Sequence, residues 1–335
     1  MRAIPDWSGD LDPEALPAAL LTAERPWIVR GAFAHWPVVQ AAGQSDEALA
    51  RYLMGQYNGV HVGLFQLPPE ARGRAFYADE TLSAFNFTRH VATLDQVLTA
   101  LLGLAATAEP PALYVGSTTV EAVMPGFLDA NRLGLGAREA LVSLWLGNRS
   151  RVAAHYDLPD NLAVVAAGRR RFTLFPPEQI HNLYMGPLDP TPAGQPISLV
   201  DFSAPDFERF PRFAQALDAA LVAELEPGDA IFIPSMWFHH IEGLAPLNLL
   251  INAWWRQTPE YMDSPVSALQ LALMTIRQLP EKERRIWQQH FQHFVFDANA
   301  DTWAHIPPAA RGLLDGVDGI TSRQVRAQLL NQLKR

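Results

Sequence analysis

From residue 141 to 256 the apolar positions come in short runs, broken by glycine, proline and charged clusters. Leu141–Leu146, Leu162–Ala167, Arg171–Phe175, Ala230–Ile233, Trp237–Glu242 and Leu247–Arg256 each read as a strand. Short strands at a spacing of roughly 8–12 residues predict a sandwich or barrel of the jelly-roll kind. Gly168-Arg169-Arg170 reads as a hairpin-like break. Glu226-Pro227-Gly228-Asp229 has Pro and Gly where a type II turn needs them. Glu178–Tyr184 reads as a short helix, and Phe207–Ala216, aromatic and proline-punctuated, as irregular.

The flanks have a different rhythm. Before the strand block, helices are predicted at Pro13–Thr22, from Ser45-Asp46-Glu47 to about Tyr57, and from Thr93 to about Ala106. Ser45 is an N-cap with acids behind it, and Thr93 with Gln96 makes a capping box. Strands are predicted at Trp27–Arg30, Val60–Leu67 and Ala112–Gly116, the last carrying Tyr114. After Arg256 the strands stop, and Ser264–Arg277, Glu281–Val295 and Ser322–Leu333 read as helices. Residues 1–256 are therefore expected as one unit, with a core at 141–256 and flanking α/β structure at 1–140. Residues 257–335 are expected as a helical tail whose apolar content exceeds what a solvated tail needs.

Composition narrows the chemistry. The chain has 335 residues, a net charge of −9 and no cysteine. Acidity argues against a phosphate-binding surface, so no nucleic-acid partner is expected. Without cysteine, disulfides, thiolate zinc sites and iron–sulfur clusters are excluded, and any metal must be held by His, Asp or Glu. The 9 Trp and 17 Phe favour an aromatic-lined cavity in a β-rich fold. The polar start lacks the apolar core of a signal peptide. The longest apolar run, Leu98–Ala108, is too short to span a bilayer. A cytoplasmic protein without membrane partners is the expectation.

The candidate chemistry lies in Ala154-His155-Tyr156-Asp157 and Trp237-Phe238-His239-His240. On a strand, His155 and Asp157 would point to one face. Two imidazoles and a carboxylate with open positions form the facial triad of non-haem Fe(II) oxygenases. A jelly roll brings distant strands side by side, so the second motif can supply the third ligand. His239 and His240 would face opposite ways on a strand, and spacing does not choose between them. In the same way Arg170 faces away from Arg169 and Arg171.

These motifs come in a fixed order. Val152-Ala-Ala-His155-Tyr156-Asp157 is followed by Asn161, Gly168-Arg-Arg-Arg-Phe-Thr-Leu-Phe-Pro-Pro177, Pro227-Gly228-Asp229, Trp237-Phe238-His239-His240-Ile241-Glu242 and Asn252-Ala253-Trp254-Trp255. The series resembles the JmjC/cupin-like Fe(II)- and 2-oxoglutarate-dependent oxygenases, and within them the asparaginyl-hydroxylase branch typified by the factor inhibiting hypoxia-inducible factor. The resemblance is dense over 141–256 and looser elsewhere. It implies a mainly β fold: a double-stranded β-helix (jelly-roll, cupin) core with flanking helices and an α-helical C-terminal tail. It selects His155, Asp157 and His239 as Fe(II) ligands. It places Asn161, Asn252, Trp254 and Ile241 around 2-oxoglutarate, with Tyr114 and Arg170 at the distal carboxylate. Relatives carry Lys at the position of Arg170 and Thr at that of Val152, so one donor is replaced and one is missing.

The implied activity is hydroxylation of a protein or peptide side chain, or of a small molecule. The alternatives are a non-catalytic cupin-like metal-binding or assembly protein and a cupin enzyme that does not use 2-oxoglutarate. The regions 55–87 and 202–213 are expected to form the substrate-facing walls. The resemblance further implies a homodimer paired through the C-terminal helices.

Overall fold

Eight strands from Leu141 to Trp255 build the centre of the protein, and most successive strands change sheet. Leu141–Gly147, Asp160–Ala167, Ala230–Ile233 and Asn248–Trp255 belong to an eight-stranded sheet. Ser150–His155, Arg170–Phe175, Leu221–Leu225 and Phe238–Gly243 belong to a six-stranded sheet facing it. This alternation is the expected jelly roll. The eight-stranded sheet is extended by Ala112–Thr119, Val62–Leu67 and the edge strand Thr88–Ala92 on one side, and by Trp27–Val29 on the other. Pairing is antiparallel except at the two ends of the six-stranded sheet, where Arg2–Ala3 and Arg74–Ala75 join in parallel.

The sequence explains this layering. Along Asp160–Ala167 every residue is buried, because both faces of the strand are covered. Ala163 and Val165 point between the sheets, where they meet Phe172, Leu174, Ile231, Ile233 and Leu250. Leu162, Val164 and Ala166 point the other way, onto the helices at Pro37–Gln44, Asp46–Gln56 and Leu94–Leu104. A strand buried on both faces reads as a continuous apolar run. The outer face of the six-stranded sheet is covered by Leu183, Val200, Phe213 and Ala216.

The computed structural model describes residues 1–334. Their contacts divide into one unit over Met1–Arg256 and a second from Gln257 onward. The second unit contains helices at Pro265–Thr275, Glu281–Phe291 and Gly319–Leu333. Among the described residues no helix is long and apolar enough to cross a membrane.

Local expectations fare unevenly. Ser45 caps its helix by accepting from the Ala48 N–H, and the Thr93–Gln96 capping box forms. Gly228 has φ 93°, and Asp229 N–H donates to Glu226 C=O, as a type II turn requires. The helix expected at Pro13–Thr22 shrinks to Ala18–Leu21, because Pro17 is still extended. Residues 207–216 are not wholly irregular, since a helix begins at Phe213 and runs to Ala219. Gly168-Arg169 does not close a hairpin: the strands on either side go to opposite sheets. The strand Leu221–Leu225 and the helix Pro37–Gln44 were not expected.

Candidate metal centre

His155 and His239 sit directly opposite each other on neighbouring antiparallel strands. Their ring centroids are 4.3 Å apart. The strand bearing His155 ends there, and Asp157 lies in the loop just beyond it, so the shared face is made by a strand end rather than by strand alternation. Tyr156 points outward and packs on Phe238. Asp157 Oδ2 comes within 3.5 Å of His239 Nε2. One potential ligand atom from each of the three residues lies within 4.8 Å of the others. Among the described residues this is the one such cluster.

Neighbouring loops hold the cluster in place. Met236, at φ 67°, turns the chain sharply after Ile233-Pro234 and donates its N–H to the Asp157 carbonyl at 2.9 Å. Ser235 is bonded to both Leu158 C=O and Asp160 Oδ1 across the same two loops. A β-bulge between His239 and Ile241 breaks the register beside the pair, and bulges re-aim side chains at such positions. His240 points the other way, buried against Phe202 with neither ring nitrogen hydrogen-bonded. The choice that spacing left open is thus decided by the strand.

The protonation pattern suits a metal. His155 Nδ1 is 2.9 Å from Ala153 C=O, and His239 Nδ1 is 3.0 Å from Trp237 C=O. A carbonyl only accepts, so both Nδ1 atoms carry a proton, which leaves Nε2 as the atom each imidazole can offer a metal. Burial, reinforced by the neighbouring His239, pushes the His155 imidazole down to about 4. Burial alone would raise Asp157, but its contact with His239 and the Trp254 N–H outweigh that and hold the carboxyl down at about 2. The Trp254 indole donates to Asp157 Oδ2 at 3.1 Å. At neutral pH the cluster is therefore a carboxylate with a neutral His155 beside it. Two imidazoles and one carboxylate, with no fourth ligand residue, match the donor set of an open non-haem iron site. The side chains present fit such a metal.

A cavity of about 290 Å³ opens between the sheets beside this cluster. Tyr114, Asn161, Arg170, Ile241, Asn252 and Trp254 all line it, together with His155, Asp157 and His239. Arg170 is the unusual member. It is 1% exposed, and no acidic side chain pairs with it among the described residues. One Nη donates to Trp145 C=O at 3.3 Å, Tyr114 is its other partner, and its Nε has none. An uncompensated buried cation costs several kcal/mol unless an anion joins it. Arg170 shares a face with Leu174, which pairs with His239. At this register Arg170 lies about 13 Å along the sheet from His239, a gap that its long arm and a short dicarboxylate span together.

Trp145 escaped the sequence reading. Its indole donates to Asn252 Oδ1 at 2.6 Å, and the Asn252 amide donates to Asn161 Oδ1 at 3.1 Å. Trp145 also lies tilted against Tyr114 and edge-on to Trp254. Its inward position on Leu141–Gly147 followed from alternation, but which residues stood opposite did not. Of the two expected walls, residues 55–87 do reach the cavity through Phe65, Leu67, Gly73, Ala75 and Phe87. Residues 202–213 do not, because Phe202 and Phe213 pack on the outer face of the six-stranded sheet. Pro192, Ala193, Gln195 and Ile197 form that wall instead.

Residues 13–261 match the model of the cupin-like domain. The lysine-specific demethylase JMJ31 of Arabidopsis thaliana is 32% identical over 42% of this chain and 25% of its own length. The tRNA wybutosine-synthesizing protein 5 of Gallus gallus is 33% identical over 39% of this chain and 42% of its own. The human HSPB1-associated protein 1 is 34% identical over 33% of this chain and 23% of its own. The chain thus spans less than half the length of these relatives. The match covers the jelly roll and the whole metal cluster, and the chain belongs to the cupin-like domain family.

Proposed function

We propose that this protein is an Fe(II)- and 2-oxoglutarate-dependent oxygenase that hydroxylates an organic substrate. The observation that carries the reading is Arg170, a buried guanidinium without a carboxylate in the same cavity as a His-Asp-His cluster. The names of two relatives, a demethylase and a wybutosine-synthesizing protein, are in keeping with it. His155, Asp157 and His239 would hold the metal through Nε2, a carboxylate oxygen and Nε2. Bound iron and 2-oxoglutarate supply oxidative decarboxylation coupled to oxygen insertion.

The chain's own residues position and shield that chemistry. Arg170 and Tyr114 would take the distal carboxylate of 2-oxoglutarate, in a charge-assisted bond. Asn161 makes no hydrogen bond through its own amide nitrogen among the described residues, and it would offer that donor to the proximal end. Asn252 and Trp145 hold Asn161 in place. Trp254 fixes Asp157 through Oδ2, the oxygen that also faces His239 Nε2. Ile241, Leu250 and Val152 keep water from the walls. On this reading the residue set is that of the asparaginyl-hydroxylase branch, with Arg170 and Val152 as its two departures.

The test is stoichiometric formation of succinate from 2-oxoglutarate by iron-loaded protein under air, with Asp157→Ala as control. Slow succinate release in the parent, absent from the variant, is the expected result. Iron binding without any consumption of 2-oxoglutarate would favour a cupin-like protein that works by binding or by another co-substrate. For assembly, the proposal is a homodimer formed through the C-terminal helices, which expose Leu269, Met274, Ile286, Trp287 and Leu330. A monomeric mass in solution at micromolar concentration removes that part.

A further inference from the structure

Once the metal cluster and the residues assigned to 2-oxoglutarate are set aside, the rest of the cavity is almost entirely apolar. That part of the lining includes Phe65, Phe87, Pro192, Ala193 and Ile197, with Gln195 and Arg151 the long polar side chains. Phe65 and Phe87 meet edge to face at 5.2 Å, and Phe87 is stacked on Phe85 at 5.2 Å. These aromatics form a continuous wall rather than isolated side chains.

Charge is as informative as shape. Among the described residues the only carboxylate lining the cavity is Asp157, already engaged by His239 and Trp254. Apart from it an ammonium group would meet only aromatic faces, and Phe65 and Phe87 already hold the Arg89 guanidinium at 5.2 and 5.7 Å from their ring centres. Two cations line it, Arg151 and Arg170. Arg151 is bound to Asp201 at 2.9 Å and to Ser203, and Arg170 is buried at the other end. Neither is free for a phosphate at the reacting end. A charged group brought into such walls would lose its hydration without a partner, at a cost of several kcal/mol. An apolar group gains from the same walls.

The aromatic wall is braced by Arg89. The Arg89 guanidinium lies 5.2 Å from the Phe65 ring centre and 5.7 Å from that of Phe87. It also donates to Pro192 C=O at 2.9 Å, which ties the edge strand Thr88–Ala92 to the opposite rim. Arg89 is exposed on the edge strand and pairs directly with Phe65, so its side chain lies on the same face as both rings and spans from them to Pro192, which sets the spacing of the wall.

We infer that the group hydroxylated at this site is uncharged and apolar, an aromatic or branched aliphatic group seated between Phe65/Phe87 and the Pro192–Ile197 segment. Phe87 and Phe65 determine that specificity, and Arg89 is a positioning residue for the wall. The inference rests on the oxygenase reading above. It sets a cationic methylated lysine and a phosphorylated nucleotide apart as poorly matched reacting groups.

The experiment uses full-length protein loaded with Fe(II) and 2-oxoglutarate. The probes are N-acetyl-phenylalaninamide, N-acetyl-leucinamide, N-acetyl-trimethyllysinamide and guanosine monophosphate. Binding is read anaerobically as a perturbation of the visible band of the Fe(II)–2-oxoglutarate complex, and turnover as stimulated succinate release under air. At least one apolar amide should bind tenfold or more tightly than either charged probe and stimulate turnover. Phe87→Ala should weaken the apolar probe at least tenfold while leaving the 2-oxoglutarate affinity within twofold. Arg89→Ala should raise KM for that probe with little change in kcat, and Arg89→Lys should restore part of it. Tighter binding of phenylalanine within an acetylated pentapeptide would assign a protein side chain, and equal binding a free small molecule; both agree with the inference. Charged probes binding as well as apolar ones, no binding of either apolar amide, or a preference unchanged in Phe87→Ala would overturn it. Absence of the visible band itself would instead remove the oxygenase reading.

Discussion

Replacing Arg170 by methionine separates what the buried guanidinium costs from what it does. In the folded chain this cation is 1% exposed, and among the described residues its Nε has no partner and no acid balances it. A buried unsatisfied donor costs about 1–3 kcal/mol. Replacing buried charge by an apolar chain of similar volume is often neutral, or stabilising by about 1–4 kcal/mol. Against this stand the bonds to Trp145 C=O and Tyr114, worth about 1.5–3 kcal/mol each at most, as bonds to a charged group. Arg170→Met should therefore unfold in urea within about 2 kcal/mol of the parent, or be more stable. Its affinity for 2-oxoglutarate should fall much further. Losing one partner of a desolvated charge pair costs about 2–5 kcal/mol, or about 30- to 5,000-fold in Kd. The assay is thermal unfolding with and without 2-oxoglutarate, since a ligand that binds only the folded state raises Tm by mass action. The parent should shift upward with added 2-oxoglutarate and the methionine variant should not. Arg170→Lys, which keeps the charge, should retain most of the shift. A methionine variant that is several kcal/mol less stable, or that still responds to 2-oxoglutarate, would refute the reasoning.

Three further outcomes follow from the same geometry. Val152→Thr places a hydroxyl in the cavity wall opposite Ile241, and a hydrogen bond to a carboxylate contributes about 1.5–3 kcal/mol; titration should show 2-oxoglutarate binding at least tenfold tighter, and unchanged affinity would place the distal carboxylate elsewhere. Gly168 has φ 73°, and a Cβ there would lie 2.4 Å from Leu247 C=O; Gly168→Ala should lose about 2–5 kcal/mol in urea unfolding from left-handed strain and overpacking, and a loss below 0.5 kcal/mol, about the level of a neutral surface change, would contradict the close approach. Burial, aided by neighbouring positive charge, holds His155 at about 4 and His240 at about 3, while unfolded histidines titrate near about 6.5. Below about pH 6.5 the unfolded chain binds more protons than the folded one, so stability falls as pH drops toward about 4. His240→Phe should make that decline shallower in urea unfolding from pH 7 to 4, and an unchanged slope would contradict the assignment.

The jelly roll was legible because its central strands are buried on one or both faces and so are written as apolar runs. The turn at Glu226–Asp229 and the caps at Ser45 and Thr93 were legible because local chemistry specifies them. Thr88–Ala92 was not: Thr-Arg-His-Val-Ala has no apolar period, and the strand is held by backbone pairing to Val62–Leu67. The two sheets joined at Gly168-Arg169 could not be told from a hairpin, since both need the same glycine turn. His155 and Asp157 stood out by spacing, although Asp157 reaches the cluster from a loop. Spacing did not separate His239 from His240; the family resemblance selected His239, and the facing strand, far away in sequence, sets it opposite His155. The carbonyls of Ala153 and Trp237 that set the imidazole tautomers are backbone atoms, and no side-chain pattern announces them. Trp145 and the Pro192–Ile197 wall were hidden for a related reason: the sequence gives a strand's faces, but not its neighbours across the cavity.

The most direct test of the central assignment is anaerobic titration of the apoprotein with Fe(II) and 2-oxoglutarate, followed by visible absorption. If His155, Asp157 and His239 hold the metal with open positions beside Arg170, a weak charge-transfer band of the chelated complex grows to one equivalent in the parent. It disappears in His239→Ala, persists in His240→Phe and needs far more 2-oxoglutarate in Arg170→Met. Tight iron binding with no band at saturating 2-oxoglutarate, or a band that survives loss of His239, would contradict the account.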